Sequence, residues 1–252
     1  MAYRSDKDLD FLKNCTSEDL EILVTILTKG KGGDVRLTEE LTMNEKYKRH
    51  TPDHRQYWDL IAAELQCYGA NSFVTMFRGG EGVLYKEVLT DACDKMKVNY
   101  NSNTTVETIE MNLLMKILTD SMEKMTPAEL QEIVKDLDLK TTDFSKQAVI
   151  VALQSSIRFS GFAAYQVALI VANAVARTVA GRGLALAVNA GLTRAMGIFA
   201  GPIGWVLTAL WTAFDIAGPA YRVTLPCVVQ VAFLRAKMKY QKTGSSEIVV
   251  IE

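Results

Sequence analysis

The chain has 252 residues, of which 49% are hydrophobic and 23% are charged, and its formal net charge is −1. This length is enough for a large buried core in one or two domains. The near neutrality hides two unlike parts, because residues 159–252 carry eight cations and three acids whereas residues 1–158 carry 20 cations and 26 acids. The acidic part disfavours general binding to nucleic acid, so we expect no nucleic-acid partner.

The four cysteines lie far apart, at Cys15, Cys67, Cys93 and Cys227, and form no Cys-x-x-Cys pair. This spacing predicts neither a zinc site nor a disulfide framework and fits a reducing compartment. The first residues have neither an apolar signal core nor an Arg/Ser-rich amphipathic pattern. We therefore expect synthesis in the cytoplasm.

Signals for helix starts and stops recur in the acidic part. Thr16, with Asp19 three residues on, predicts a capped helix start, and the Gly-rich segment 30–33 predicts its end. Thr51-Pro52 predicts the start of another helix that runs to about residue 69, because proline is tolerated at the first helical position.

Further helices are predicted at about 81–97, 105–125 and 127–138, the last of them opened by Thr126-Pro127. Strand signals are nearly absent. The sequence thus predicts an all-α fold, in which a multi-helix N-terminal region precedes a C-terminal apolar helical hairpin or bundle. We place the acidic region at 1–142, the apolar block at 143–240 and a tail at 241–252.

The apolar block contains two runs without a charge, residues 159–176 and 195–214. Each is close to the roughly 20 apolar residues that span a bilayer core. Small residues recur every four positions in this block and therefore share a helix face that another helix can approach closely. The candidates for packing or membrane contact are Ala164, Ala168, Ala172, Ala176, Gly183, Ala187, Gly191, Gly197, Gly201, Trp205 and Trp211.

Few charges interrupt the block, and the candidates among them are Arg177, Arg182, Arg194, Asp215 and Arg222. Asp215 is the one acid within an apolar stretch, where a charge usually needs a partner. It is expected to pair with Arg194 or Arg222 in a helix bundle, and a proton-sensing role is the alternative.

Two interpretations of the apolar block stay open. In the leading one, the two runs form a hairpin that inserts in or lies on an inner membrane rich in anionic lipid, with pore formation or membrane perturbation as one form of it. In the other, they form the buried core of a soluble interaction or assembly-chaperone-like module. Gly201, Pro202 and Gly204 are expected to interrupt the second run, which counts against a permanent span.

Residues typical of catalysis or metal binding are scarce. His50 and His54 have a metal-like spacing, but Pro52 lies between them and indicates a solvated helix terminus instead. The chain has two histidines and no phosphate-binding loop ending in Gly-Lys-Ser/Thr. We therefore expect no catalytic residue, no metal and no cofactor, and a partner that is lipid, another protein or a second copy of the chain.

Several segments resemble a bacterial YaaW-like family that opens with a short domain of unknown function. The resemblance rests on residues 3–20 with Asp8-Leu-Asp-Phe-Leu12, on residues 55–72 with Glu64-Leu-Gln66, on Leu84-Tyr-Lys86 and on Ala220-Tyr-Arg-Val-Thr-Leu-Pro226. It implies a short N-terminal family domain at about 1–35 and a loose relation to ubiquinol–cytochrome c assembly chaperones, helical factors that work beside a membrane. It supplies no catalytic residues.

Overall fold

The computed structural model describes residues 3–29, 40–69, 82–184, 190–214 and 221–247. Within these ranges the chain forms helices and no β-strand, so the predicted all-α fold is confirmed. Short 3-10 helices lie at Asp10–Asn14 and His54–Tyr57. The α-helices are α1 (Ser17–Thr28), α2 (Glu45–His50), α3 (Trp58–Gly69), α4 (Tyr85–Lys95), α5 (Val106–Met122), α6 (Pro127–Asp136), α7 (Lys146–Phe159), α8 (Gly161–Ala180), α9 (Ala190–Phe214) and α10 (Tyr221–Glu247).

Two helix starts follow directly from their capping residues. The Thr16 hydroxyl accepts a hydrogen bond from the Asp19 N–H, and the Asp19 carboxylate accepts one from the Thr16 N–H. Thr126 and Glu129 form the same reciprocal pair at α6, with Pro127 at the first helical position. The start at Thr16 was predicted from its spacing to Asp19, and the start at Thr126 from the Thr126-Pro127 pair.

The predicted start at Thr51-Pro52 is wrong, although α3 does end at Gly69. Thr51 instead terminates α2, and its hydroxyl donates to the Tyr47 carbonyl at 2.8 Å. The Thr51–Pro52 peptide bond is cis and lies in a turn before the 3-10 helix. The hydroxyl therefore closes one helix rather than opening the next.

The centre of the fold is α8. It packs along α10 and α9, and also contacts α5, α7 and α1. Residues 167–176 of α8 are buried throughout. One continuous core joins these side chains to those of α1, α3, α4 and α5, so both compositional parts of the chain contribute to it.

The expected interruption of the second apolar run is also wrong. α9 continues as one helix through Gly201, Pro202 and Gly204. Its inner face buries Phe199, Ile203 and Leu207. Burial of these large apolar side chains offsets the hydrogen bond that proline removes.

Candidate functional site: a groove between α5, α7 and α10

An open groove of about 1120 Å³ lies among four helices. Its walls come from α5, the end of α7, the start of α8 and the second half of α10. We call it the α5–α7–α10 groove and define it by the residues that line it: Val98, Asn99, Thr105, Glu107, Thr108, Glu110, Met111, Asn112, Leu114, Met115, Lys116, Thr119, Gln154, Ile157, Arg158, Phe159, Ser160, Gly161, Ala164, Ala232, Arg235, Ala236, Lys239, Tyr240 and Thr243.

The corner between α7 and α8 shapes one end of the groove. Ser160 has an extended backbone, with φ −141° and ψ 120°, so α7 stops at Phe159. The Ser160 hydroxyl then caps α8 by accepting from the Ala163 N–H at 3.4 Å. This corner leaves Phe159 88% exposed at the edge of the groove.

The apolar part of the lining is flexible and shallow. Met111 and Met115 are half-buried one turn apart on α5, with Ile157 across from them on α7. Ala164 and Ala236 contribute short side chains from α8 and α10. Unbranched methionine side chains adapt to differently shaped partners, and alanines let a partner backbone come close.

A buried polar network forms the base of the groove. Arg235 donates through Nε to both carboxylate oxygens of Glu110, at 3.1 and 2.9 Å. The Tyr85 hydroxyl donates to Glu110 Oε1 at 2.7 Å. The Arg235 guanidinium also lies over the Phe11 ring, 4.4 Å from its centroid. The side chain of Glu110 is only 4% exposed, so this carboxylate depends on these partners.

Burial sets the protonation of this network. It raises the pKa of Glu110 to about 7, against the lowering effect of Arg235 and of the Tyr85 hydroxyl. Burial also raises the pKa of Tyr85 well above its usual value, and the neighbouring Glu110 adds to this. A proton therefore stays on the phenol, and Glu110 changes its charge near neutral pH.

The same network fastens the N-terminal segment to α10. A terminal nitrogen of Arg235 donates to the Asp8 carbonyl at 2.6 Å. Asp6 accepts from the Tyr85 backbone N–H at 2.7 Å, and Lys237 pairs with Asp19 at 2.5 Å. Because Arg235 also lines the groove, the N-terminal segment and the groove share one side chain.

A second buried cluster lies around His54. Its Nε2 is 2.5 Å from a Glu21 carboxylate oxygen, and its Nδ1 contacts the Tyr57 hydroxyl. Arg182 pairs with the other Glu21 oxygen at 2.6 Å. Burial would raise the pKa of Glu21, but the hydrogen bonds and charges of His54 and Arg182 hold it below its ordinary value.

This cluster corrects the interpretation of His54 as part of a solvated helix terminus, since the residue is 3% exposed. The carboxylate that His54 contacts belongs to Glu21, 33 residues away in sequence. The local spacing of residues cannot reveal such a contact. His50, by contrast, is only partly buried at the end of α2. Within the described residues no group of three or more His, Cys, Asp or Glu side chains is arranged to hold a metal ion.

Most of the α8 stripe packs inside the fold. Ala168, Ala172 and Ala176 are 0% exposed, and the Gln230 side chain of α10 donates to the Ala172 carbonyl at 2.8 Å. A longer residue at 172 would obstruct this approach. Ala164, at the solvent end of the stripe, lines the groove instead.

The glycine candidates behave differently from one another. A Cβ at Gly183 would lie 2.5 Å from Asn173 Oδ1, so a larger residue there would force the Asn173 side chain to move. A Cβ at Gly197 or Gly201 would meet nothing within 4 Å. Both residues face outward with Trp205, which is 66% exposed, so the pair packs against no other helix within the described residues and stays a candidate for membrane or partner contact. Gly191 is half-buried near the start of α9.

The arginine candidates are distributed over the surface of the fold. Arg194 pairs with Asp136 at 3.1 Å, Arg177 is exposed, and Arg222 is half-buried at the start of α10. Three candidates lie outside the described residues or have side chains outside them: Ala187, Trp211 and Asp215. The predicted pairing of Asp215 is therefore not addressed.

One helix within the described ranges, α8, is long and apolar enough to cross a bilayer. In the most apolar 18-residue stretch of this helix, 61% of the residues are buried inside the fold. Core helices of soluble proteins meet the same criteria of length and composition, so this feature alone favours neither interpretation.

Two family models match the chain. A domain of unknown function (DUF3944) covers residues 3–37, the segment that Arg235 and Lys237 fasten to α10. The ubiquinol-cytochrome C chaperone model covers residues 53–229, which include α5, α7, α8 and the first part of α10.

Curated relatives match over nearly the whole chain. A UPF0174 protein of Helicobacter pylori strain J99 is 51% identical over 94% of both chains. A UPF0174 protein of Helicobacter pylori strain 26695 is 43% identical over 81% of this chain and 99% of its own length. The UPF0174 protein YaaW of Escherichia coli K12 is 31% identical over 92% of this chain and 95% of its own length. No solved structure matches significantly. The chain thus belongs to the bacterial UPF0174 family that includes YaaW, and to the family described as ubiquinol-cytochrome C chaperone.

Proposed function

We propose that the protein is a non-enzymatic, assembly-chaperone-like interaction module that holds an apolar helical segment of a client protein in the α5–α7–α10 groove. The family whose model matches most of the chain is described as a chaperone, which supports a binding role over catalysis. A groove flanked by helices is a common means of recognising another helix.

The observation that carries this proposal is the lining of the groove. It combines the flexible Met111 and Met115 with the short Ala164 and Ala236, and Phe159 is exposed at its edge. Apolar surface left uncovered in this way costs free energy in water, and a helix laid across it would remove that cost.

A soluble-fusion assay tests the proposal. A 20-residue Leu/Ala helix fused to a small soluble tag should aggregate alone and stay soluble with the full-length protein. Ala236→Trp fills the groove and should abolish the protection, and Ala164→Phe should do the same from α8. Val151→Trp is the matched control, because Val151 is 63% exposed and does not line the groove.

The circular dichroism of each variant establishes that it has folded. Loss of protection in both groove variants with retention in Val151→Trp supports the groove as the binding site. Full protection by folded Ala236→Trp and Ala164→Phe variants would contradict it.

The second candidate function is association with the inner membrane, including insertion and pore formation. The exposure of Trp205 on α9 favours it, and the length and composition of α8 are compatible with it. Insertion would require α8 to leave α10, because its middle is buried against neighbouring helices. Surface association through the outer face of α9 requires no such rearrangement.

Liposome experiments separate these forms. Flotation of the full-length protein with anionic vesicles, reduced by Trp205→Ser, would support surface association. Leakage of an encapsulated dye would support insertion or pore formation. If the protein neither floats with the vesicles nor releases the dye between pH 5 and pH 8, the membrane candidate is contradicted.

A further inference from the structure

We infer that the helix recognised by the α5–α7–α10 groove is amphipathic and acidic, with carboxylates flanking its apolar stripe. This inference rests on the proposed function and adds the chemistry of the partner. It follows from the charges that line the groove, considered together with the partners that each of them already has.

The lining is more basic than acidic. It contains four cations, Lys116, Arg158, Arg235 and Lys239, and two acids, Glu107 and Glu110. This differs from residues 1–158 as a whole, which are acidic. Two of the cations come from the acidic residues 1–158 and two from the basic residues 159–252, so the lining carries a small positive excess where the two parts meet.

Two of the four cations are already neutralised. Lys116 pairs with Asp120 at 2.6 Å, and Arg235 pairs with Glu110 at 2.9 Å. These pairs hold their side chains in place and leave little charge for a partner.

The other two cations are available to a partner. Arg158 and Lys239 are exposed and form no salt bridge within the described ranges, although the charge of Glu107, which also lines the groove, acts on Lys239. Arg158 lies one residue before the exposed Phe159, and Lys239 lies one turn beyond Arg235 on α10. Carboxylates of a docked helix would meet them at the solvent-exposed edge, where opposite charges increase the rate of encounter and fix orientation.

The polar side chains of the lining favour a helix over an acyl chain. A fatty acyl tail would contact only apolar walls, but the lining also offers hydroxyl and amide groups along the groove: Thr105, Thr108, Asn112, Thr119, Gln154 and Thr243. Such groups match the mixed surface of an amphipathic helix, whose polar residues border its apolar stripe.

Two designed 18-residue helical peptides provide the test. Both carry the same leucine and isoleucine stripe, flanked in one by glutamates and in the other by lysines. Fluorescence anisotropy with the full-length protein at low salt should give a Kd about ten-fold lower for the acidic peptide, the effect expected of two contacts at an exposed edge. The difference should shrink at high salt because exposed charges are screened.

Charge reversal identifies the residues responsible. The double variant Arg158→Glu/Lys239→Glu should lose or reverse the preference while still binding through the apolar stripe. Lys140→Glu is the control, since Lys140 is 81% exposed and lies outside the groove.

The outcomes distinguish failure of the helix-binding groove from failure of the acidic partner. If both peptides bind equally tightly and Ala236→Trp abolishes both, the proposed function stands and the acidic partner is wrong. If neither peptide binds, the groove is not a helix site and both proposals fail. If oleate displaces the acidic peptide and binds more tightly, with the same dependence on Arg158, the occupant is an acyl anion and the inference is overturned.

Discussion

Replacing Glu110 by glutamine tests the buried network at the base of the groove. Glutamine keeps the shape of the side chain and an oxygen that accepts from Tyr85 and Arg235, but it cannot ionise. The substitution therefore removes the titration of Glu110 with little change in packing. The difference in the free energy of unfolding between the wild type and this variant should therefore change with pH, and the raised pKa of Glu110 gives the sign of that change.

The sign follows from the raised pKa of Glu110. In the folded chain this pKa is about 7, whereas its ordinary value is 4.5. As the pH rises between these values the unfolded chain releases the proton first, so the folded state is progressively penalised. The contribution of the protonated Glu110 to the free energy of unfolding is fully present below the pKa of Glu110 in the unfolded chain. It is lost as the pH rises through about 7, the pKa in the folded chain. From pH 4 to pH 8 the change is about 3 kcal/mol.

Urea denaturation followed by circular dichroism measures this effect. The free energy of unfolding of the wild type minus that of Glu110→Gln should fall by about 3 kcal/mol from pH 4 to pH 8, because all other titrating groups cancel in the difference. The same subtraction with Glu132→Gln, an exposed glutamate on α6, should stay nearly constant. A difference for Glu110→Gln that is flat or rises with pH would refute the assignment of a raised pKa.

Three further substitutions test local geometry by the same denaturation assay. Gly82→Ala should destabilise the fold by about 2 kcal/mol or more, because a Cβ there would lie 2.5 Å from the Gln66 Cβ and 2.6 Å from its backbone carbonyl carbon. Gly201→Ala should stabilise it by up to about 1 kcal/mol, since its Cβ meets nothing within 4 Å and alanine favours the helix. Thr126→Ala should cost about 1 kcal/mol by removing the capping box with Glu129. Equal effects of the two glycine substitutions, or no loss at Thr126, would contradict this geometry.

The parts of the fold that sequence predicted are those set by short-range chemistry. The capping residues Thr16 and Thr126 act on N–H groups three residues away, so their pattern suffices to place α1 and α6. The apolar run that became α8 was equally evident, because the middle of this helix, residues 167–176, is buried and carries no charge. The proposed domain boundaries near 142 and 240 stay predictions, and α10 crosses the second of them as one helix.

The errors, and the placement of Gly197 and Gly201, depended on contacts, near or distant, that the local pattern does not reveal. His54 is buried by Glu21 and Tyr57 rather than solvated, and Thr51 closes α2 instead of opening α3. Gly197 and Gly201 form a recognisable pair, but periodicity does not say which side of α9 faces the core. The side of α9 that faces the core carries the large apolar residues Phe199, Ile203 and Leu207.

The candidate site was predictable only in part. Ala164 was identified from the small-residue stripe, and it lines the groove. Met111, Ile157 and Arg235 belong to three helices that tertiary packing brings together, and no spacing in the sequence links them. Glu110 and Arg235 are 125 residues apart, so their pairing is a property of the fold.

Photo-crosslinking from inside the groove tests the central claim most directly. A photoreactive amino acid replaces Met111 in the lining of the groove or, as the control, the exposed Val151, which does not line it, and the full-length protein is irradiated with the acidic helical peptide. We predict an adduct to the peptide at position 111, lost on adding Ala236→Trp, and none at position 151. Equal adducts at both positions, or an adduct at 151 alone, would contradict the groove as the binding site.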